Sequence, residues 1–416
     1  MMITTFGALV GLFISVTLIL KKYEPVYSLM FGALIGGLVG GEDLLNTIEF
    51  MINGAKDISP SILRVLASGF LAACLIKTGS VNRISEEIIK SLGDKHSILG
   101  IIFSTFVLAA VGVNLDVAIL TVAPIGLSLG AKLNYSKMSV LLALLGGGKA
   151  GNIISPNPNT LAAADNFNVD ISNVMMSNVI PAIFGIILTL LLTRLLSNKG
   201  SKIIFNTLTE EHESLPSLFC SIIGPCTSIV LLSLGNFTDI TIDPLIALPV
   251  GAMVSIIATN NTKNTNELMA FGINKMQGIC LLLLGTGTLV GIIQSSNLQQ
   301  STIELLDILN IPQFLLAPIS GMIMSLATAS STAGSTIASS TFSTAILASG
   351  LSNVVGATLV NAGSCVFEQL PHGSLFHTSR SSVEISLSER FKLLPYEITL
   401  GLTMTAVSTI IQLILL

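Results

Sequence analysis

One residue pattern occurs twice in this chain, 219 positions apart. Glu24-Pro25-x-x-x-Leu29-x-x-Gly32-Ala33 returns as Asp243-Pro244-x-x-x-Leu248-x-x-Gly251-Ala252. Leu75–Val81 lines up likewise with Ile292–Leu298, and Asn157-Pro158-Asn159-Thr160 with Leu370-Pro371-His372-Gly373. Several matches in order, at offsets of 213 to 219, indicate an ancient duplication. The fold must therefore be one that two copies of a single unit can build.

Composition decides the solvent of that fold. Of 416 residues, 51% are hydrophobic and 10% charged, with mean hydropathy +0.83. Soluble domains carry about 25% charged residues, so this is an integral membrane protein, with the lipid bilayer as its surroundings. No basic face for nucleic acid is present. Cys74, Cys220, Cys226, Cys280 and Cys365 lie in apolar runs without metal-like spacing, so no disulfide, metal or cofactor is expected. The first apolar run, 3–20, has its lysines after it and reads as a retained span.

A helical span needs about 20 apolar residues. The candidates are 3–20, 25–41, 59–77, 136–165 (interrupted), 172–196, 217–235, 243–259, 277–295, 351–375 (interrupted) and 395–416. Two further segments, 97–133 and 312–348, are rich in small residues and broken near Gly112-Val113-Asn114 and Ser330-Ser331-Thr332. If both are re-entrant hairpins, 16 of the 19 Lys and Arg residues fall on one face, which becomes the cytoplasmic one. Lys56, Arg64 and Lys149 are left over, and Glu42, Asp43, Glu49, Asp57, Glu304 and Asp307 occupy the opposite loops.

The expected fold is an all-α polytopic membrane protein. It is an inverted repeat of about five crossings plus one hairpin per half, with helices broken at the midplane. Residues 1–200 form the first repeat, 201–216 a cytoplasmic linker and 217–416 the second repeat. Both termini are expected to be extracytoplasmic in a cell (inner or plasma) membrane.

The interruptions carry the chemistry. Residues 146–160 read GGGKAGNIISPNPNT, and with their prolines, glycines and asparagines they are expected to open the helix. The second half breaks correspondingly at Glu368-Gln369-Leu370-Pro371-His372-Gly373-Ser374. Irregular backbone at bilayer depth is tolerated only around a cavity or inside protein, and paired breaks point to a midplane substrate site. Opened helices offer free amides and positive dipole ends to an anion. Asn157, Asn159, Thr160, Ser155, Gly373 and Ser374 suit a hydroxylated carboxylate. Lys149 either neutralises its charge or pairs with a structural acid such as Asp165. The Gly-Gly-Gly-Lys run lacks Walker spacing, so no nucleotide site is expected.

Asn114 and Asp116 stand at the first hairpin tip, and an intramembrane carboxylate is a functional candidate by default. Asp116 is expected to carry a proton, bind a cation or partner Lys149. Ser325–Gly350 holds eight serines and five threonines without a charge; Ser330, Ser331 and Thr332 at its centre are candidates for substrate hydroxyls or a cation. His372 is a second titratable candidate, whereas His96, His212 and His377 belong to the aqueous boundary.

Gly146–Thr160 followed by Leu161-Ala-Ala-Ala164, together with Gln369-Leu-Pro-His-Gly-Ser374, resembles the two breaks of the gluconate permease (GntP-type) family. The resemblance implies membership of the ion transporter superfamily and a homodimer. It further implies proton symport of small hydroxy-carboxylates such as gluconate, by an elevator-like motion. Two departures fall at the site: Asn114-Leu115-Asp116 stands where the family carries Glu-x-Gly, and Pro156-Asn157-Pro158-Asn159 where it reads Pro-His-Pro-Gly. Gluconate and a smaller or differently charged acid both stay open.

Other readings are an exchanger of Na+ or H+ without organic substrate, a membrane-embedded enzyme and a channel. No Gly-x-Ser-x-Gly elbow or His-Glu-x-x-His helix supports an enzyme, and interrupted inverted repeats favour alternating access over a channel.

Overall fold

A computed structural model describes residues 3–21, 23–92, 97–203, 215–234, 238, 240–298, 301, 312–371 and 373–414. Helix makes up 81% of the described residues, which contain no strand. His96, His212, Glu304, Asp307, His372 and most of the expected linker lie outside the described residues.

One group of helices comprises α1 (Thr5–Leu20), α2 (Pro25–Val39), α3 (Leu44–Asp57), α4 (Ser59–Lys77), α5 (Ser80–Leu92), α12 (Leu218–Ser233), α13 (Pro244–Ala258) and α14 (Thr265–Gln294). Polar caps and prolines set their starts. Thr4 caps α1, and Asp43 caps α3. Asp243 caps α13, where Pro244 opens the first turn without needing a partner for its missing N–H. Glycine governs how these helices pack. A Cβ on Gly32 of α2 would meet Ser15 Oγ of α1 at 1.9 Å, and one on Gly251 of α13 would meet Ser228 Oγ of α12 at 1.9 Å. The two glycines that correspond in the sequence repeat thus hold the same close approach in two helix pairs.

A second group holds the interruptions. It comprises α6 (Ser97–Ala110), α7 (Leu115–Lys132), α8 (Lys137–Asn152), α9 (Pro158–Asn166), α10 (Ile171–Ser177) and α11 (Val179–Leu195), then α15 (Leu316–Thr328), α16 (Ser331–Ala348), α17 (Asn353–Ser364), α18 (Ser374–Ser382) and α19 (Leu387–Ile414). Helix α8 is buried from Met138 to Asn152 and packs on α6, α7, α11 and α19. The expected hairpins are α6–α7 and α15–α16. Their tips turn on Gly112 (φ 98°) and Ala329 (φ 47°), both in the left-handed region.

The glycines of the first break behave differently from expectation. Helix α8 runs unbroken through Gly146–Gly151 to Asn152, and only 153–157 leave the helix. Those glycines serve contact instead, since a Cβ on Gly147 would lie 2.1 Å from Ile102 O and one on Gly151 2.3 Å from Phe106 O. Close packing of α6 on α8 offsets the weak helix propensity of glycine. Span lengths also differ. Among the described residues, four helices (α4, α7, the segment Thr262–Gln294 and α19) are long and apolar enough to cross a bilayer alone, with α10–α11, bent by 43°, as a fifth. The other apolar helices are of 10–17 residues, and at 1.5 Å per residue they fall short of a core about 30 Å thick. Two amphipathic helices, α3 and α5, were not among the expected elements.

A candidate anion site at four helix N-termini

A cavity of about 350 Å³ lies between the two groups of helices. One wall is polar and comes from the hairpin tips and the breaks. The other, from Ile19, Pro25, Val26, Met276, Ile279 and Leu282, is largely apolar, with Ser68 and Glu24 as its polar additions.

The polar wall is built from helix starts. Asn114 caps α7, accepting from Asp116 N at 3.3 Å. Asn157 caps α9, its Oδ1 accepting from Thr160 N at 3.3 Å and Thr160 Oγ1 at 3.1 Å. Ser330 caps α16 by accepting from Ala333 N at 3.2 Å. Gly373 precedes α18 with extended backbone and no side-chain cap. First-turn residues of all four helices (Leu115, Pro158, Ser331 and Ser374 among them) line the cavity. Four positive dipole ends, each equivalent to about half a charge, therefore converge on one space.

Asparagines hold the breaks in place. Asn157 Nδ2 donates to Asn152 O at 3.0 Å and also to Asn152 Oδ1. Asn152 Nδ2 donates to Ser331 Oγ at 3.3 Å. Asn159 Nδ2 donates to Asn361 Oδ1 at 2.8 Å, and Asn361 Nδ2 donates to Ile153 O at 3.2 Å. Ser335 Oγ donates to Asn159 O at 2.7 Å. Carbonyls freed by the first interruption are thus satisfied within protein, as a nonaqueous setting requires.

Of the expected site residues, Asn114, Asp116, Asn157, Asn159, Ser330, Ser331, Thr332 and Ser374 line the cavity. Ser155 and Thr160 are fully buried beside it, and Gly373 packs on Ala329, where a Cβ would meet Ala329 O at 2.4 Å. Lys149 is not in the wall. It is completely buried behind Glu368, with Nζ 3.3 Å from Glu368 Oε1, and donates to Cys365 O at 2.7 Å and Gln369 Oε1 at 2.5 Å. At that separation and an effective dielectric of about 20, the attraction is roughly 5 kcal/mol. Glu368, Asn152 and Asn361 are the residues sequence reasoning passed over; Glu368 stood in the second break, the one acid there.

Asp165 has another partner. It accepts from Ser61 Oγ at 2.6 Å and pairs with Arg64, whose Nη2 also reaches Asp243 Oδ2 at 2.5 Å. Asp165, Arg64 and Asp243 line a second cavity of about 480 Å³ with Asn168, Asp170 and Asn173. The Arg64 hydrogen bond holds the Asp243 carboxyl below its ordinary value.

The model of the GntP family permeases matches residues 2–415. The chain belongs to the GntP permease family. This permease is 46% identical to an uncharacterized transporter of Haemophilus influenzae over 98% of each chain. It is 20% identical to the high-affinity gluconate transporter of Escherichia coli K12, covering 87% of this chain and 88% of that one. Its fold is that of the YdaH transporter of Alcanivorax borkumensis, with TM-score 0.63, 13% identity and 88% of each chain covered. The GntP permease is accordingly a multi-pass membrane transporter and not an enzyme.

Proposed function

We propose that this permease imports a small hydroxy-carboxylate, gluconate or a related acid, bound in the cavity where α7, α9, α16 and α18 begin. That convergence of four helix N-termini is the observation carrying the reading, because a carboxylate is the common small solute such ends favour. Asn157, Asn159, Ser330, Ser331, Thr332 and Ser374 supply donors and acceptors for hydroxyl groups. Kinship with a gluconate transporter supports the same solute class.

Uptake is coupled to a cation, H+ or Na+, with Asp116 in the cavity wall as its carrier. Movement is of the elevator type: the hydrogen-bonding wall belongs to the group with α6–α11 and α15–α19, and the facing wall is mostly apolar, so it slides past with few hydrogen bonds to break. Shared packing of Gly32 and Gly251 supports two repeats, 1–200 and 217–416, inserted in opposite senses with extracytoplasmic termini. The exposed apolar faces of α1, α2, α11 and α13 are available to lipid and to a homodimer partner.

Counterflow of labelled hydroxy acids into proteoliposomes tests this function. Saturable exchange of a hydroxy-carboxylate, with none of its neutral polyol, supports it. Asp116 and Glu368, the carboxylates of the polar wall, favour one second reading, a cation exchanger; that protein would move Na+ or H+ and exchange no acid.

A further inference from the structure

We propose that the buried Lys149–Glu368 pair is a proton-operated charge switch that sets when the cavity accepts an anion. The inference rests on the reading of the protein as an organic-anion transporter. It begins from a conflict. The helix ends favour an anion, yet Asp116 and Glu368 both face the same space, and a substrate carboxylate entering there meets like charge.

The geometry around Glu368 resolves that conflict. Glu368 is 2% exposed, lines the cavity, and has Oε1 at 3.3 Å from Lys149 Nζ with no hydrogen bond to it. Two of the three ammonium protons go to Cys365 O and Gln369 Oε1, and Gln369 is itself fixed by donating to Val366 O at 2.8 Å. Charge alone holds the Glu368 oxygen. Protonating it breaks no hydrogen bond, so the ammonium stays in place whichever state Glu368 adopts.

The consequence is a change of net charge in a water-poor wall. With Glu368 ionised, the pair is neutral and Asp116 keeps the cavity closed to anions. A proton from the open aqueous side, added to a carboxyl oxygen of Glu368, leaves Lys149 without its counterion, and such a buried cation is costly. An anion in the cavity then replaces the counterion and accepts a hydrogen bond from the new carboxyl O–H. Departure of the anion on the far side returns the proton to water and closes the pair. The Glu368 proton thus travels with the anion, beside the cation that Asp116 carries.

Among the described residues, neighbouring groups leave the switch to these two; His372, in the same break, lies outside the described residues. Asp116 from α7 and Cys365 in the same segment both feel the charge of Glu368. Lys275 of α14 acts on Asp116 and Glu24 stands in the facing wall. Asp165 of α9 is engaged by Arg64. On α18, His377 contacts Pro371 O and Arg380 donates to Ile385 O. The α19 pair Arg390–Glu397 packs against Phe376 and Ser379. Helices α6, α15, α16 and α17 carry no ionisable side chain apart from hydroxyls.

Proton uptake on binding tests the switch, read with a pH indicator on the purified full chain in weakly buffered detergent. The probes are D-gluconate, D-glycerate and D-lactate. Wild type is expected to take up about one proton per anion, with affinity falling about tenfold per pH unit on the alkaline side. Glu368→Gln is expected to bind with no proton uptake and an affinity nearly independent of pH. Proton uptake by Glu368→Gln equal to wild type overturns the switch. Binding by wild type without any proton uptake also overturns it and leaves the transporter reading standing; absence of binding to every probe removes both. The double variant Lys149→Met/Glu368→Gln removes the pair as a unit and leaves no unpaired charge to impair folding. It is expected to lose affinity at least about tenfold, and wild-type affinity with proton uptake in it contradicts the proposal.

Discussion

Asn159 donates from Nδ2 to Oδ1 of Asn361 at 2.8 Å, pinning the first broken helix to the helix that leads into the second break. Both side chains are buried, so losing either partner leaves an unsatisfied amide, at about 1–3 kcal/mol. Asn159→Ala is expected to abolish uptake while protein remains in the membrane, and Asn157→Ala, which uncaps α9, to do the same. Uptake normalised to membrane protein checks both. Normal transport in the two variants takes these residues out of the site.

Asp116 has one carboxyl oxygen buried without a partner and the other 3.4 Å from Ser374 Oγ. Asp116→Asn keeps the shape and deletes the charge. We predict loss of accumulation driven by a proton gradient, with solute exchange retained, as measured in proteoliposomes with and without an imposed pH difference. An unchanged response to the gradient assigns the coupling elsewhere, with Glu368 and His372 next to be tested.

Arg64 ties Asp165 on α9 to Asp243 at the start of α13, across the boundary between the two helix groups. If α9 moves as an elevator body, Arg64 stays with Asp243 and is never left unpaired. Asp165→Asn is expected to shift the resting population toward the other state, changing the thiol accessibility of an introduced cysteine on α9 by several-fold. Because the depressed Asp243 carboxyl stays ionised above its ordinary value of 3.8, its tie to Arg64 is full at neutral pH. It is lost only as pH falls through the lowered value. Identical accessibility in wild type and variant speaks against movement at this boundary.

Arg390 and Glu397 are both fully buried and paired, and Arg390 also stacks 4.7 Å from the Phe376 ring on α18. Glu397→Gln leaves the guanidinium without its counter-charge, at about 3–5 kcal/mol. A thermal unfolding midpoint lowered by several degrees is the expected result. An unchanged midpoint denies the pair its role in anchoring α18.

The sequence made the hairpin tips and the second break legible because residues such as Asn114, Ser330 and Pro371 are intrinsically unsuited to helix interiors. Gly146–Gly151 misled, since glycine weakens a helix locally but here permits α6 to touch α8, a tertiary effect no local pattern contains. Lys149 was legible as a buried charge, and its partner was not. Glu368 lies 219 residues away, and only the meeting of the two breaks brings it within 3.3 Å. The amphipathic helices α3 and α5 escaped a search built on apolar length.

Substrate protection of a single cysteine at Thr332→Cys, in a background without the five native cysteines, tests the anion site most directly. The account predicts that an acid active in counterflow slows alkylation of that thiol at least about tenfold, near-saturation of the site, while its neutral polyol has no effect. Equal alkylation rates with the acid, with the polyol and with neither would contradict it.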